Sequence, residues 1–348
     1  MDNVRIFAQS MLASTVHSKV KPAGCSPSHA FSLRRNKVVK ALGIVLLCLT
    51  ALAVTFPAWA LGEGRIAVIY PDIGEPYREI FEKIIEGVEG KVGARVISHP
   101  VHADTDIADL KASLLRHDIK VVIALGRQGM KTATSLGNGI RVVVGGVLIV
   151  PENEARAQPV ISLSPDPALL FARMKALKPA AKRVFVVYNP GSSGWLMKLA
   201  RESAHAQGLE LVAYEAHDLR GAVRFYQEIF SATDSRRDVL WLPQDATTVE
   251  ESSILPLVLQ ASWKQDIAVF SSNPAHVRRG ILFSLYPDNI ALGKSLAVLA
   301  QGILISGDYA RRGVMPLRDV QSIVNLRTAK HLGINPDREQ GFDTTLPE

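Results

Sequence analysis

Cysteine is almost absent from this chain, and both copies stand near its N-terminus. The 348 residues include only Cys25 and Cys48. The chain after residue 60 therefore has no disulfide framework, no thiol nucleophile and no cysteine-based metal site. Aromatic residues are also sparse, at 6%. Hydrophobic residues make up 47% and charged residues 21%. These values are typical of soluble globular proteins and exclude a disordered chain, a collagen-like chain and a many-helix membrane protein.

The common catalytic motifs are missing as well. No G-x-G-x-x-G opens a helix after the first predicted strand, and neither G-x-x-x-x-G-K-[ST] nor H-E-x-x-H occurs. The run 191–194 fails as a nucleophile elbow, because the second glycine of G-x-S-x-G would fall on Trp195. One imidazole–carboxylate cluster is present, formed by His99, His102, Asp104 and Asp106. It has no third histidine at a fixed spacing, so we interpret it as solvated and expect no catalytic residue, metal or cofactor.

Positive charge is concentrated at the N-terminus. The formal net charge is +7, and the first 60 residues carry seven Lys or Arg against a single acid. A basic cluster at 34–40 precedes the apolar run 41–56, and the small residues Ala58 and Ala60 follow, in the order of a secretory signal peptide. The run is shorter than the roughly 20 residues that span a bilayer. We expect residues 1–60 to be a leader cleaved after Ala60, with the protein in the periplasm. An uncleaved inner-membrane anchor facing the periplasm is the alternative.

The chain after the leader is almost neutral, and its basic residues form isolated pairs that argue against a nucleic-acid partner. Short apolar runs there alternate with segments of helical spacing. Predicted strands cover 65–71, 94–98, 120–126, 140–147, 183–189, 209–214, 239–242, 267–271, 281–286 and 321–325. Predicted helices cover 80–88, 106–117, 128–136, 167–177, 195–207, 219–230, 252–264 and 290–305.

This β-α alternation restarts near residue 167. It predicts an α/β protein with two doubly wound parallel-sheet lobes. We expect 61–165 with about 276–305 to form the N-terminal lobe. The C-terminal lobe is then expected to comprise 166–275 with about 306–348.

Polar side chains follow the predicted strands of both lobes. Ligands of such folds bind at the carboxyl ends of the strands, so these side chains predict a binding cleft without a catalytic dyad. Arg127 either holds a carboxylate or pairs with a neighbouring acid. The run 189–194 either offers backbone N–H groups to an anion or is a plain β-α turn with a serine cap. The candidate ligand-binding residues are Asp72, Arg127, Gln128, Asn189, Ser192, Ser193, Asp245, Ser272 and Asn273.

Five runs of sequence carry a family resemblance. They are VFVVYNPGSSG (184–194), GLELVAYEA (208–216), DVLWLPQDATTV (238–249), IAVFSSNPAHVRRGILFSLYPDNIALGKSLAVLAQGIL (267–304) and IVNLRTAKHLGI (323–334). In this order, within 64–335, they resemble the substrate-binding proteins of ABC transporters of the tryptophan/tyrosine type. The resemblance implies the type I periplasmic binding protein fold, in which two lobes joined by a hinge close on a small ligand. That ligand is commonly an aromatic or other hydrophobic amino acid, which is handed to a membrane permease.

The chain departs from the family pattern at three strand ends. It has Gly126-Arg127 where Gly-Thr or Gly-Ser is usual, LIVP at 148–151 where Thr-Asp-Pro is usual, and Ser272-Asn273-Pro274 where an acid is common. Polar contacts are thus weakened and one cation is gained, which widens the expected ligand to an amino acid or small carboxylate-bearing compound. We expect an exported receptor, not an enzyme, that delivers its ligand to an ABC permease of the inner membrane. The alternative is a periplasmic sensory module that signals to a membrane partner.

Overall fold

The structure is a computed structural model that describes residues 65–148, 156–336 and 341–347. The predicted leader lies outside these residues. The first part of the described chain alternates strand and helix. Its elements are β1 (Ile66–Pro71), α1 (Tyr77–Val92), β2 (Ile97–Val101), α2 (Ile107–Arg116), β3 (Val121–Leu125), α3 (Gly126–Ser135), β4 (Arg141–Val147) and β5 (Pro159–Pro165).

The second part repeats the alternation and ends with three further strands. Its elements are α4 (Pro167–Leu177), β6 (Arg183–Tyr188), α5 (Pro190–Ala206), β7 (Glu210–Glu215), α6 (Leu219–Ala232), β8 (Asp238–Leu242), α7 (Ile254–Gln265), β9 (Ala268–Ser271), α8 (Pro274–Arg278), β10 (Phe283–Pro287), α9 (Asn289–Ser306), β11 (Gly313–Leu317), β12 (Val320–Asn325), α10 (Leu326–His331) and β13 (Thr344–Leu346).

Two sheets organise these elements into two lobes. The first sheet has the strand order β11-β5-β4-β3-β1-β2, and its described pairings are all parallel. The second has the order β13-β12-β10-β9-β8-β6-β7, in which β10 and β12 are antiparallel. The predicted fold class, an α/β protein with two doubly wound parallel-dominated sheets, is confirmed.

Helices cover both faces of each sheet, which explains why the strands are uninterrupted apolar runs. In β1 the side chains of Ile66 and Val68 join one apolar cluster, whereas those of Ala67 and Ile69 join another on the opposite face. The second sheet separates two further clusters in the same way. One surrounds Trp241, and the other surrounds Tyr226.

Two elements lie in the opposite sheet from the one expected. The range 276–305 was assigned to the N-terminal lobe, but β10 within it pairs with β9 and β12 of the second sheet. The range 306–348 was assigned to the C-terminal lobe, but β11 within it pairs with β5 of the first sheet. The helix between them, α9, packs against α1, β3 and β4 as expected of the first lobe. The chain passes between the lobes three times, as the predicted boundaries imply, but the second and third crossings lie near Asp288 and Arg318 instead of near 276 and 306.

Several boundaries also differ from the prediction. Strand β2 lies three residues later than predicted. Strands β5 and β11 were not predicted, because Pro159 and Pro165 bound the short run of β5 and Pro316 lies within β11. Helix α5 begins at Pro190 instead of Trp195, since Asn189 caps it and proline suits the first helical turn. Residues 190–194 are thus helical and do not form an open loop.

Three segments connect the lobes and meet at one place. They pass through Asp166, through Asp288, and through Arg318-Asp319. The Asp166 N–H donates to the Leu317 carbonyl at 2.8 Å, and the Asp288 N–H donates to the Asp319 carbonyl at 3.0 Å. These two backbone bonds tie the three connections into a single hinge.

Helix α9 is the one helix among the described residues that is long and apolar enough to cross a membrane by length and composition. Its apolar residues pack into the first lobe, where Leu292, Leu296 and Ala300 are buried. A core helix of a globular domain passes the same test, so this feature is weak evidence for a membrane span.

Candidate ligand-binding site

The predicted site residues lie at the carboxyl ends of strands in both sheets. In a parallel sheet these ends share one edge, which is where α/β folds bind ligands. The structure divides the nine residues into three groups, one on the first lobe and two on the second. The hydrogen bonds described below each lie within a single lobe.

Asp245 organises the first group of the second lobe. It follows β8 and is only 3% exposed. Its Oδ2 accepts hydrogen bonds from the Asn189 backbone N–H at 2.7 Å, from Ser192 Oγ at 2.9 Å and from Ser193 Oγ at 3.1 Å. Its Oδ1 accepts two backbone N–H groups of the turn that follows. Five donors satisfy the buried carboxylate. We therefore interpret Asp245 as a positioning residue that fixes the start of α5 beside β8.

Asn189 forms the outer part of this group. Its Oδ1 accepts the Gly191 N–H at 2.8 Å, which caps α5. Among the described residues, its Nδ2 group has no hydrogen-bond partner. Of the four predicted residues in this group, Asn189 is therefore the one that retains a side-chain donor for a ligand.

Ser272 and Asn273 form the second group, after β9. Ser272 is buried, and its Oγ accepts a hydrogen bond from Trp241 Nε1 at 3.0 Å. Asn273 is half-buried and caps α8, since its Oδ1 accepts the Ala275 N–H at 3.0 Å. Its Nδ2 lies 3.3 Å from Nε2 of His276. The hydrogen bonds of Ser272 and Asn273 therefore mainly stabilise the loop between β9 and α8.

Asp72 and Gln128 meet on the first lobe through His102. The Asp72 Oδ2 lies 3.1 Å from His102 Nε2, and Gln128 Nε2 donates to the His102 backbone carbonyl at 3.0 Å. Arg78 approaches the other Asp72 oxygen at 3.5 Å. The ends of β1 and β2 and the start of α3 are thereby joined at one edge of the first sheet.

Arg127 is an exposed residue in the first turn of α3. This turn follows Gly126, whose φ of +69° favours glycine and whose added Cβ would lie 3.1 Å from Pro71 Cγ. No side chain caps α3 at Leu125. Backbone N–H groups of the first helical turn lack partners within the helix, so these amides and the Arg127 guanidinium place donors at the same edge as the Asp72 carboxylate.

Comparison with known proteins identifies the family. The family model described as "ABC transporter substrate binding protein" matches residues 92–339 of this chain. The chain belongs to this family. A search of curated proteins found no match.

Solved structures of similar proteins are distant in sequence. A ligand-free, open structure of a substrate-binding protein with adhesive properties from Clostridium difficile shares 18% identity, with a TM-score of 0.55, over 80% of this chain and 98% of that one. A Streptococcus pneumoniae ABC domain in complex with L-Trp shares 17% identity at a TM-score of 0.48, over 81% of this chain and 100% of that one. A conserved domain protein from Vibrio cholerae shares 20% identity at a TM-score of 0.49, over 81% of this chain and 100% of that one. The first of these supports the shared fold.

Sequence patterns missed two histidines of this substrate-binding protein. His102 was noticed within a cluster interpreted as solvated, yet it links Asp72 to Gln128. His276 was not singled out, although it is buried and its Nδ1 lies 2.8 Å from Ser271 Oγ. The short spacing of serine and histidine in VFSSNPAHV was the available signal.

The Ser271–His276 pair does not form a nucleophilic site in this substrate-binding protein. Ser271 is fully buried, and its Oγ accepts the Asn273 N–H at 3.0 Å, so no substrate carbonyl reaches it. Within the described ranges, no group of three or more His, Cys, Asp or Glu side chains is assembled that could hold a metal ion. The geometry therefore suits binding and positioning.

Proposed function

We propose that this protein is an exported receptor that captures an amino acid or other small carboxylate-bearing solute between its lobes and delivers it to an ABC permease. One observation carries the proposal. Each lobe has polar residues at the carboxyl ends of its strands, and three connections at one hinge join the two lobes. A solute that contacts both edges stabilises a closed form by its differential affinity for that form. Family membership supports solute binding. Export and delivery rest on the leader pattern and on the general role of the family.

We assign the anionic group of the solute to the first lobe. The uncapped first turn of α3 and the Arg127 guanidinium are both donors, and a guanidinium matches a carboxylate in a bidentate geometry. On the second lobe the Asn189 amide is the available polar contact. Asp245 acts through the loop that it holds.

The decisive experiment is calorimetric titration of L-amino acids and small carboxylates into wild-type protein and two variants. We expect Arg127→Ala to weaken binding of the solute that binds wild type by about 2–5 kcal/mol, the usual loss on truncating a paired charge. Lys131→Ala is the matched control, because Lys131 is exposed on α3 one turn further from the sheet edge. Equal affinity in all three proteins would remove Arg127 from the site.

Delivery requires a cellular test. Deletion of the gene should abolish uptake of the bound solute, and the wild-type gene should restore it. Unchanged uptake with a changed transcriptional or motility response to the solute would favour the sensory alternative.

A further inference from the structure

A pocket lies at the amino edge of the second sheet, opposite the edge that carries Asn189 and Asp245. It has a volume of about 640 Å³. The start of β9, the start of β10 and the end of the antiparallel β12 form its base, and α7, α8 and α10 form its walls. A volume of this size is within the range of small-molecule sites.

The walls of this pocket, which we call the amino-edge pocket, are strongly basic. Its lining includes five basic side chains and, among the described residues, no Asp or Glu; the basic ones are Lys264, Arg278, Arg279, Arg327 and His331. At the rim, Asp266 Oδ1 lies 3.0 Å from His331 Nε2, and Arg279 Nη1 donates to the Glu251 backbone carbonyl at 3.5 Å. Within the described part of the chain, no carboxylate pairs with the lysine or the three arginines. Their charges therefore add up over the pocket instead of cancelling.

The floor of the amino-edge pocket is apolar. Ile267, Val269 and Leu282 are buried beneath it. Trp263 stands at its side and is 43% exposed, although a large aromatic side chain gains most from burial. The His331 ring stacks on Trp263 with centroids 3.7 Å apart, and the Arg327 guanidinium lies 5.8 Å from the Trp263 centroid. An apolar surface thus adjoins a group of cations.

A merely solvated basic surface does not account for this combination. Lysine and arginine on such a surface carry their charge into water and need no concave apolar floor beside them. A ligand with only a charge would leave Trp263 uncovered, and a purely apolar ligand would leave the cations without a counterion. The pocket is complementary to a molecule that has both parts.

We propose that the amino-edge pocket binds a small organic anion with a planar apolar body. Its carboxylate or phosphate head contacts Arg278, Arg279 and Arg327, and its body lies on the apolar floor beside Trp263. This site is separate from the cleft between the lobes, because it lies at the other edge of the second sheet.

The test uses 2-naphthyl phosphate as the probe and fluorine NMR of the full chain labelled with 5-fluorotryptophan. The Trp263→Phe variant assigns the Trp263 resonance. We expect the probe to shift this resonance with one-site saturation. Inorganic phosphate and the uncharged 2-naphthol should each require at least tenfold higher concentrations, since each supplies half of the complementarity.

Variants separate the amino-edge pocket from other basic surface. The double change R278Q/R279Q should weaken the probe at least tenfold, and Arg327→Gln alone should weaken it if the double variant does not fold. Arg236→Gln is the matched control, an exposed arginine in the same lobe outside the pocket. It should bind as wild type does, and Arg127→Ala should also do so, because Arg127 belongs to the cleft.

Three results would overturn the proposal. The first is the absence of a saturable Trp263 shift at millimolar probe, and the second is an equal effect of Arg236→Gln. The third is a shift caused by phosphatidylglycerol vesicles but not by the probe, which would assign this face to a membrane surface.

Discussion

His276 is the central side chain of a buried hydrogen-bond network in the second lobe. Its Nδ1–H donates to Ser271 Oγ, which donates in turn to the Leu242 carbonyl, and its Nε2 accepts from Asn273 Nδ2. This arrangement gives every donor in the network an acceptor and therefore selects the neutral Nδ1–H tautomer. Burial lowers the pKa of His276, and Arg279 lowers it further, while Glu251 opposes the shift.

The lowered pKa predicts a loss of stability in mild acid. The unfolded chain binds a proton near pH 6.5, whereas the folded chain binds it only at lower pH. The contribution of His276 is thus fully present above pH 6.5 and lost as the pH falls through the folded pKa. We expect the unfolding free energy from urea titrations to fall between pH 7.5 and pH 5. Each tenfold difference in proton affinity between the folded and the unfolded chain corresponds to a loss of about 1.4 kcal/mol.

Two variants assign this acid sensitivity. His276→Gln should flatten the pH dependence, although the lost hydrogen bonds lower stability at pH 7.5 by about 1–3 kcal/mol. His99→Gln measures the separate share of His99, because burial also lowers the pKa of that half-buried residue on the first lobe. An unchanged slope in His276→Gln would show that the network tolerates the charged ring.

At the scale of elements, α1 and α9 cross with their backbones in contact. A Cβ at Gly293 would lie 2.0 Å from the Ile84 carbonyl oxygen, and one at Gly87 would lie 2.1 Å from that of Ile290. Glycine is required at both positions because no flexible side chain can move aside. The crossing presses α9 against the first sheet and so fixes the segment that runs from the hinge back into the first lobe.

Substitutions along α9 test this crossing. Gly293→Ala forces the two helices apart and should lower the unfolding free energy by about 1–3 kcal/mol. Gly302→Ala lies on the same helix with no atom within 4 Å of the added Cβ. It should raise stability by about 0.5–1 kcal/mol, the propensity gain of alanine over glycine in a helix. Thermal unfolding followed by circular dichroism measures both, and similar midpoints for the two variants would contradict a close crossing.

The sequence pattern predicts some strands of this fold and misses others. Strands buried on both faces are apolar throughout, so β1, β3 and β6 are visible as runs, and the polar residue after each run marks the edge of the sheet. The edge strand β11 has Pro316 and pairs with β5, which is far away in sequence, so neither apolar pattern nor spacing indicates it. The hydrogen-bond partners of Asp245 were also not predictable from the sequence, because they depend on β6 and β8 being neighbours in the sheet.

At the scale of the whole molecule, the hinge determines how the two lobes can move relative to each other. The connections at Asp166, Asp288 and Arg318-Asp319 are joined by backbone hydrogen bonds, while each lobe has its own apolar clusters on both faces of its sheet. Three short connections at one place permit rotation of two rigid lobes and oppose their sliding. In the proposed function, a solute bound between the lobes sets the angle between them.

Closure predicts a measurable change in shape. To raise the closed population from about 1% to 99%, the solute must prefer the closed form by about 5.5 kcal/mol. Small-angle scattering should show a smaller radius of gyration with saturating solute than without it. Arg127→Ala should need a higher solute concentration to reach the same compaction, and its curve without solute should match that of wild type. If the solute binds tightly and the scattering curve does not change, the site is a static pocket within one lobe. Delivery to a permease would then have to depend on something other than recognition of a closed form.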